Sequence, residues 1–150
     1  MKTSKNKLKV YIGADHAGFK LKQTLKQFLK KDYRVLDVGA KKFNKTDDYP
    51  DFAKKVAKKI KKGGKGILIC GSAEGICIAA NKFKGIRAVA VWTKTNARLS
   101  RQHNDANILC LSGWQLPLNK AKAISKLWLN TKFENEPRHI RRINKIKRFE

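Results

Sequence analysis

The segment Ile67-Leu-Ile-Cys-Gly-Ser-Ala-Glu-Gly75 ends an apolar run in a thiol and turns at once into small residues. Such a turn aims backbone N–H groups at an anion beside a helix N-terminus, where the helix dipole also favours negative charge. Cys70 at its mouth is a candidate base or nucleophile next to an oxyanion site. The same residues also fit a buried strand-end cysteine, because free Cys is a common core residue. What separates the two readings is the company Cys70 keeps. Gly13-Ala-Asp-His-Ala-Gly18 places Asp15 and His16 where a strand turns into a helix, and Thr46-Asp-Asp-Tyr-Pro50 precedes another helix. Leu99-Ser-Arg-Gln-His-Asn-Asp105 carries His103 just ahead of a strand. Arg138 and Arg142, four apart, project two guanidinium forks from one helical face, which suits bidentate phosphate recognition. By itself that last segment reads as a basic terminal helix. With a cysteine and two histidines on the same architecture, it points to a site.

The elements that must carry these residues alternate. Residues 8–13 read as a strand, and 17–31 as a helix with Leu21, Leu25, Phe28 and Leu29 forming one stripe. A strand over 33–38 is followed by a polar loop and by a helix opening at Pro50 with Phe52, Val56 and Ile60 inward. Strands follow over 66–70, 87–91 and 107–111, with helices over 76–83, 95–101 and 118–129, and a basic amphipathic helix lies within 136–149. This order predicts an α/β, Rossmann-like doubly wound sandwich with a five-stranded parallel sheet and a C-terminal basic helix, in a single domain over residues 1–150. Ligands are expected at the carboxyl ends of the strands. The first, third and fourth crossovers are expected to bring Asp15, His16, Cys70, Ser72 and His103 towards that one edge.

Bulk properties narrow the class. At 41% hydrophobic the chain supports a proper core, and the sequence contains neither a membrane-span-length apolar run nor a signal-peptide core at its start. Cys70, Cys77 and Cys110 form no CxxC pair, which predicts reduced thiols and a cytoplasmic protein, with no disulfide framework or zinc site. Thirty-six Lys and Arg against eleven Asp and Glu give a net charge of +25, a balance that ordinarily suggests nucleic acid. The lysines, however, fall at polar helical positions: Lys20, Lys22, Lys26, Lys30 and Lys31 in one helix, Lys54, Lys55, Lys58, Lys59, Lys61 and Lys62 in another. The expected result is a solvated face that concentrates anionic metabolites. No zinc finger or RNA-recognition aromatic motif supports a nucleic-acid module.

The chain closely resembles the type B ribose-5-phosphate isomerases, of the sugar-phosphate isomerase family that also includes the galactose-6-phosphate isomerase subunits. The resemblance rests on Gly13-Ala-Asp-His-Ala-Gly-Phe-Lys-Leu-Lys22, Asp48-Tyr-Pro50, Ile67-Leu-Ile-Cys-Gly-Ser72, Ile78-Ala-Ala-Asn-Lys82, Gly85-Ile-Arg-Ala88, Leu99-Ser-Arg-Gln-His-Asn-Asp105 and Arg138-His139 with Arg142. These pieces keep the family's order over nearly the whole chain. The resemblance implies interconversion of ribose 5-phosphate and ribulose 5-phosphate through a cis-enediolate, a pentose phosphate pathway step, without metal or cofactor. It makes Cys70 the base at carbons 2 and 1, and His103 the acid–base group that opens the furanose ring. Ser72 and the amides of Gly71, Ala73, Glu74 and Gly75 become donors to the enediolate oxygen. Asp15, Tyr49 and Asn104 would contact the sugar, while His16, Arg138 and Arg142 hold the phosphate. The family's dimers, alone or paired into tetramers, place their sites between subunits, so the arginine helix is expected to serve a partner.

Three positions depart from the family pattern. Ala73 replaces a glycine and is expected to impose an ordinary φ on the loop. Glu74 adds a carboxylate near the anion site, and Gly113-Trp114 stands where relatives often carry a phosphate-contacting arginine. These differences leave open an isomerase of a six-carbon sugar phosphate such as allose 6-phosphate, and a non-catalytic basic nucleic-acid-binding protein on the same fold. The Cys70 thiol, ordinarily little ionised at neutral pH, is expected to be pulled down by the loop amides and the lysine-rich field.

Overall fold

The structure, a computed structural model, describes residues 7–150. In chain order it contains β1 (Lys9–Ala14), a 3-10 turn (His16–Gly18), α1 (Phe19–Leu29), β2 (Arg34–Asp37), α2 (Tyr49–Ile60), β3 (Lys65–Cys70) and α3 (Glu74–Ala80). Then come β4 (Ala88–Ala90), α4 (Lys94–Asn104), β5 (Ile108–Ser112), α5 (Leu118–Asn130) and α6 (Pro137–Lys147). All five strands are parallel, in the order β2-β1-β3-β5-β4, as an α/β sandwich requires. Strand pleating sends Val10, Ile12, Ile67, Ile69, Leu109 and Leu111 to one face, where Leu25 of α1, Ala97 of α4 and Trp128 of α5 cover them. Tyr11, Leu68, Cys70, Ile108 and Cys110 face the other way, under Phe52 and Val56 of α2 and Ile76 of α3.

Several helices differ from the sequence-based bounds for identifiable reasons. α3 starts at Glu74 and stops by Asn81, whose side-chain amide binds both backbone groups of Ala88 at 2.8–2.9 Å and so pins the start of β4. α4 runs on to Asn104, which puts His103 in a helix's last turn instead of a loop. Thr93 caps its start by accepting from the Asn96 N–H at 3.1 Å.

Lys22 corrects the expectation of a uniformly solvated lysine face. It is 0% exposed, donating to Asp37 at 3.0 Å and to the Ala40 carbonyl at 2.7 Å. Burial holds its pKa below the ordinary lysine value. Asp37 also accepts from Lys26 and from the Gly39 N–H. Those bonds outweigh its own burial and keep its carboxyl below the usual value. Lys22 thus ties α1 to the chain leaving β2.

A parallel sheet has two unlike rims. Every residue that follows a strand lies at the carboxyl rim, and every residue that leads into one lies at the amino rim. The climb along β5 from Asn107 to Ser112 separates the rims by roughly 16 Å, at about 3.3 Å per residue.

Candidate active site

The carboxyl rim collects Asp15, His16, Tyr49, Cys70 and the 71–75 loop. Asp15 leaves β1 with its N–H donating to the Ile69 carbonyl at 3.2 Å, and its carboxylate accepts from the Gly18 N–H at 3.1 Å. Gly18 is required there: a Cβ would stand 2.5 Å from the Ile69 oxygen. Burial raises the pKa of Asp15. His16 binds Asp47 twice, through its backbone N–H at 2.8 Å and its ring Nδ1 at 2.9 Å, both to Oδ1. The Asp47 bond holds the imidazole pKa above its ordinary value and so favours the cationic ring. The Tyr49 ring packs directly on Gly75, where a Cβ would lie 2.6 Å from the phenol carbon.

Cys70 ends β3 under the amino end of α3. The backbone N–H groups of Ile76, Ala73 and Ser72 turn towards its sulfur and favour the thiolate, but burial acts more strongly and leaves the thiol above its ordinary pKa. The charge felt by the thiol is the Asp15 carboxylate, which also pushes upward. The expected downward pull of the lysine field is therefore corrected, while the amide contribution has the expected sign. Ser72 Oγ accepts from the Glu74 N–H at 3.3 Å, leaving its own proton available to donate. Glu74 itself is exposed in the first turn of α3.

The loop owes its shape to the end of β5. Ser112 Oγ donates to the Gly71 carbonyl at 2.6 Å, Gly113 N–H to Cys70 O at 2.8 Å, and Trp114 N–H to Gly71 O at 3.1 Å. The Trp114 indole, 74% exposed, lies on Gly71 so closely that a Cβ there would meet the ring at 2.5 Å. Held this way, Ala73 takes φ 71°, not the ordinary φ expected of it. A left-handed alanine costs about 1–2 kcal/mol. The loop keeps a glycine-like path at that cost.

His103 is the main correction to the expected geometry. It does not join Cys70. It leads into β5 at the amino rim together with Asn104, whose carbonyl accepts from Arg87 Nε at 3.0 Å just ahead of β4. α6 packs there too: His139 stacks on His103 with ring centroids 4.4 Å apart, and Arg138 pairs with Glu136 at 2.8 Å. Arg142 lies exposed on the same helix. One chain thus places the candidate residues in two separate groups. The carboxyl rim holds Asp15, His16, Tyr49, Cys70 and the Gly71–Gly75 loop with Ser72, Ala73 and Glu74. The amino rim holds His103, Asn104, Arg138 and Arg142.

The model of the family described as Ribose/Galactose Isomerase matches residues 10–146. The chain belongs to that family. Among this family's members, the probable ribose-5-phosphate isomerase B of Mycoplasma genitalium is 45% identical over 145 residues, covering 94% of this chain and 95% of the relative. Ribose-5-phosphate isomerase B of Escherichia coli is 42% identical over 146 residues, covering 95% and 96%. The crystal structure of the M. genitalium protein with bound ribulose-5-phosphate superposes with a TM-score of 0.90 at 44% identity, over 94% of this chain and 95% of that one.

Sequence reasoning passed over three residues that hold these two groups in place. Asp47, whose bond raises the His16 pKa, lies inside the Thr46–Pro50 motif and has an acidic side chain to draw notice. His139 lay in the quoted Arg138-His139 pair. Ser112, which clamps the loop carbonyl, gave no signal beyond being a polar residue at the end of an apolar strand.

Proposed function

We propose that this protein interconverts ribose 5-phosphate and ribulose 5-phosphate by proton transfer through an enediolate. The observation that carries this is the Cys70 thiol ringed by the amides of Ser72, Ala73 and Ile76, with Asp15, His16 and Tyr49 on the same rim. A relative with the same fold was crystallised with ribulose-5-phosphate. On the open-chain aldose, the Cys70 thiolate takes the proton from carbon 2. The C–H electrons form the C1=C2 bond, and negative charge moves to the carbonyl oxygen, where Ser72 and the loop amides donate. The proton on O2 passes to O1 and the thiol returns its proton to carbon 1, leaving a ketone at carbon 2. A positioned base contributes about 10²–10⁴-fold, and donors aimed at the developing oxyanion supply a further large share. His16⁺ anchors the phosphate, whose binding energy orients the reacting carbons.

Ring opening needs a proton moved from the anomeric hydroxyl to the ring oxygen, the role assigned to His103. Because His103 stands at the opposite rim, the reading requires a second copy of the chain. We infer a homodimer in which one copy's carboxyl rim meets the other's amino rim, so that Asn104, Arg138 and Arg142 complete the partner's sugar and phosphate contacts. The reaction as drawn needs no cofactor, and each chain acts as one domain. Among the described residues no helix is long and apolar enough to cross a membrane. The three unbridged thiols, Cys70, Cys77 and Cys110, support assignment to the reducing cytoplasm. Family membership favours the isomerase over a nucleic-acid-binding role for the basic surface.

Proton NMR of ribose 5-phosphate in heavy water tests the proposal. Wild type should form ribulose 5-phosphate and incorporate deuterium. Cys70→Ala should lose both by about 10²–10⁴-fold while still binding phosphate. Exchange that survives in Cys70→Ala moves the base elsewhere. Turnover of allose 6-phosphate in preference to ribose 5-phosphate would replace the five-carbon substrate by a six-carbon one.

A further inference from the structure

At the amino rim, His139 and Glu134 gather around His103 in an arrangement that ring opening does not call for. His103 Nε2 and His139 Nε2 lie 3.8 and 3.7 Å from the same oxygen, Oε2 of Glu134, and the three donor atoms all fall within 4.8 Å of one another. His139 is only 4% exposed, and its Nε2 finds no hydrogen-bond partner among the described residues. A buried imidazole nitrogen in that state is left unsatisfied, and a bound ion would satisfy it. Glu136 stands 3.9 Å from His139 Nε2, but its carboxylate is engaged by Arg138.

The donor chemistry is selective. Two imidazole nitrogens and one carboxylate oxygen form a set used for zinc and its neighbours, with a fourth position left for water. Calcium and magnesium prefer all-oxygen shells. Ligand atoms about 2.0–2.1 Å from one tetrahedral ion stand roughly 3.3 Å apart, so each nitrogen–oxygen gap has to close by about half an ångström, and the two stacked rings, now 15° from parallel, have to tilt until both Nε2 lone pairs face the ion.

We propose that His103, Glu134 and His139 form a binding site for a divalent transition metal ion of the zinc class. The binding rests on these three side chains alone. Its consequence rests on the isomerase reading: a metal on His103 Nε2 removes the lone pair needed for ring opening, so the ion acts as an inhibitor.

The test is titration of the full chain with zinc, followed by calorimetry, and with cobalt(II), followed by visible absorption. One equivalent per chain should bind with the d–d bands of nitrogen and oxygen ligation. Affinity should fall by at least about tenfold in His139→Ala and in Glu134→Gln. The second variant keeps its shape on a solvent-facing side chain, so it guards against a folding defect at buried His139. Cys77→Ser should bind like wild type. No binding, unchanged affinity in Glu134→Gln, or a sulfur charge-transfer band that disappears in Cys77→Ser would each overturn the site. Zinc should also inhibit isomerisation by wild type, and at correspondingly higher concentration in Glu134→Gln. Binding without inhibition upholds the metal site and overturns the ring-opening role of His103.

Discussion

The two rims of the sheet solve different problems with different materials. At the carboxyl rim, chemistry is held by backbone: amides surround Cys70, the end of β5 clamps the Gly71 carbonyl, and Asp15 caps its own turn. At the amino rim it is held by side chains reaching out of helices, with exposed Arg138 and Arg142 and a stacked pair of imidazoles. The first is tied together by hydrogen bonds within one chain. The second leaves Arg142 exposed on α6, a charge that a neighbouring molecule or an anion is proposed to use.

The sharpest way to break this comparison is to disable each rim in a different copy. Cys70→Ala and His103→Ala should each be nearly inactive alone. Mixed after dissociation and reassembly, they should regain about a quarter of wild-type activity, since half of the dimers then hold one intact site. No recovery in a proton-exchange assay, with mixed dimers present by native mass spectrometry, would mean that the rims do not meet across copies.

Bonding at the carboxyl rim can be probed through Lys22. Lys22→Met strips one cation from Asp37 and leaves the Ala40 carbonyl unpaired, and should cost about 3 kcal/mol in urea unfolding. The Asp37 contribution has a definite pH sign. Its folded pKa is depressed, so its stabilisation is present above the unfolded carboxyl pKa and is lost as pH falls through the folded value. An amino-rim change such as Arg142→Ala should leave this acid transition unmoved.

Asp47→Asn offers a smaller effect. The Asp47 bond raises the His16 pKa, so phosphate anchoring by the cation persists above the ordinary imidazole range and fades as pH rises through the raised value. Without the carboxylate, KM should increase several-fold, on the order of threefold, at pH about 7.5, and little at pH about 5.5, where the ring stays protonated. A pH-independent rise would assign Asp47 a purely structural part.

Much of this architecture is legible in the sequence because its periodicities are local. The stripe at Leu21, Leu25 and Leu29 and the apolar run before Cys70 specify α1 and β3 without knowledge of anything distant. The placement of His103 was misread although its signal was present. A residue just ahead of a strand in a parallel sheet must stand at the amino rim, whatever its chemistry suggests. The buried ion pair of Lys22 could not be read from helical position alone, because its partner follows a different strand. Ala73 shows a third limit: clamps from β5 set its backbone angle, and its own side chain has no vote.

That last point gives the smallest prediction. Ala73→Gly should shift thermal stability by less than about 1 kcal/mol. Relief of left-handed strain is nearly cancelled by the lost buried methyl and by the freer unfolded chain. A large gain would mean that the loop is bent by strain and not by its clamps.

The indole of Trp114 has a use outside the chemistry. It rests on Gly71 with 74% of its surface open, whereas Trp128, on the inner face of α5, is sealed in the core. Trp114 therefore stands at the mouth of the 71–75 loop, with half-buried Trp92 donating to neighbouring Gln115, while Trp128 supplies an interior background. Any molecule that settles over Gly71 must displace the water around that exposed ring, so the protein carries a built-in optical gauge of its own occupancy.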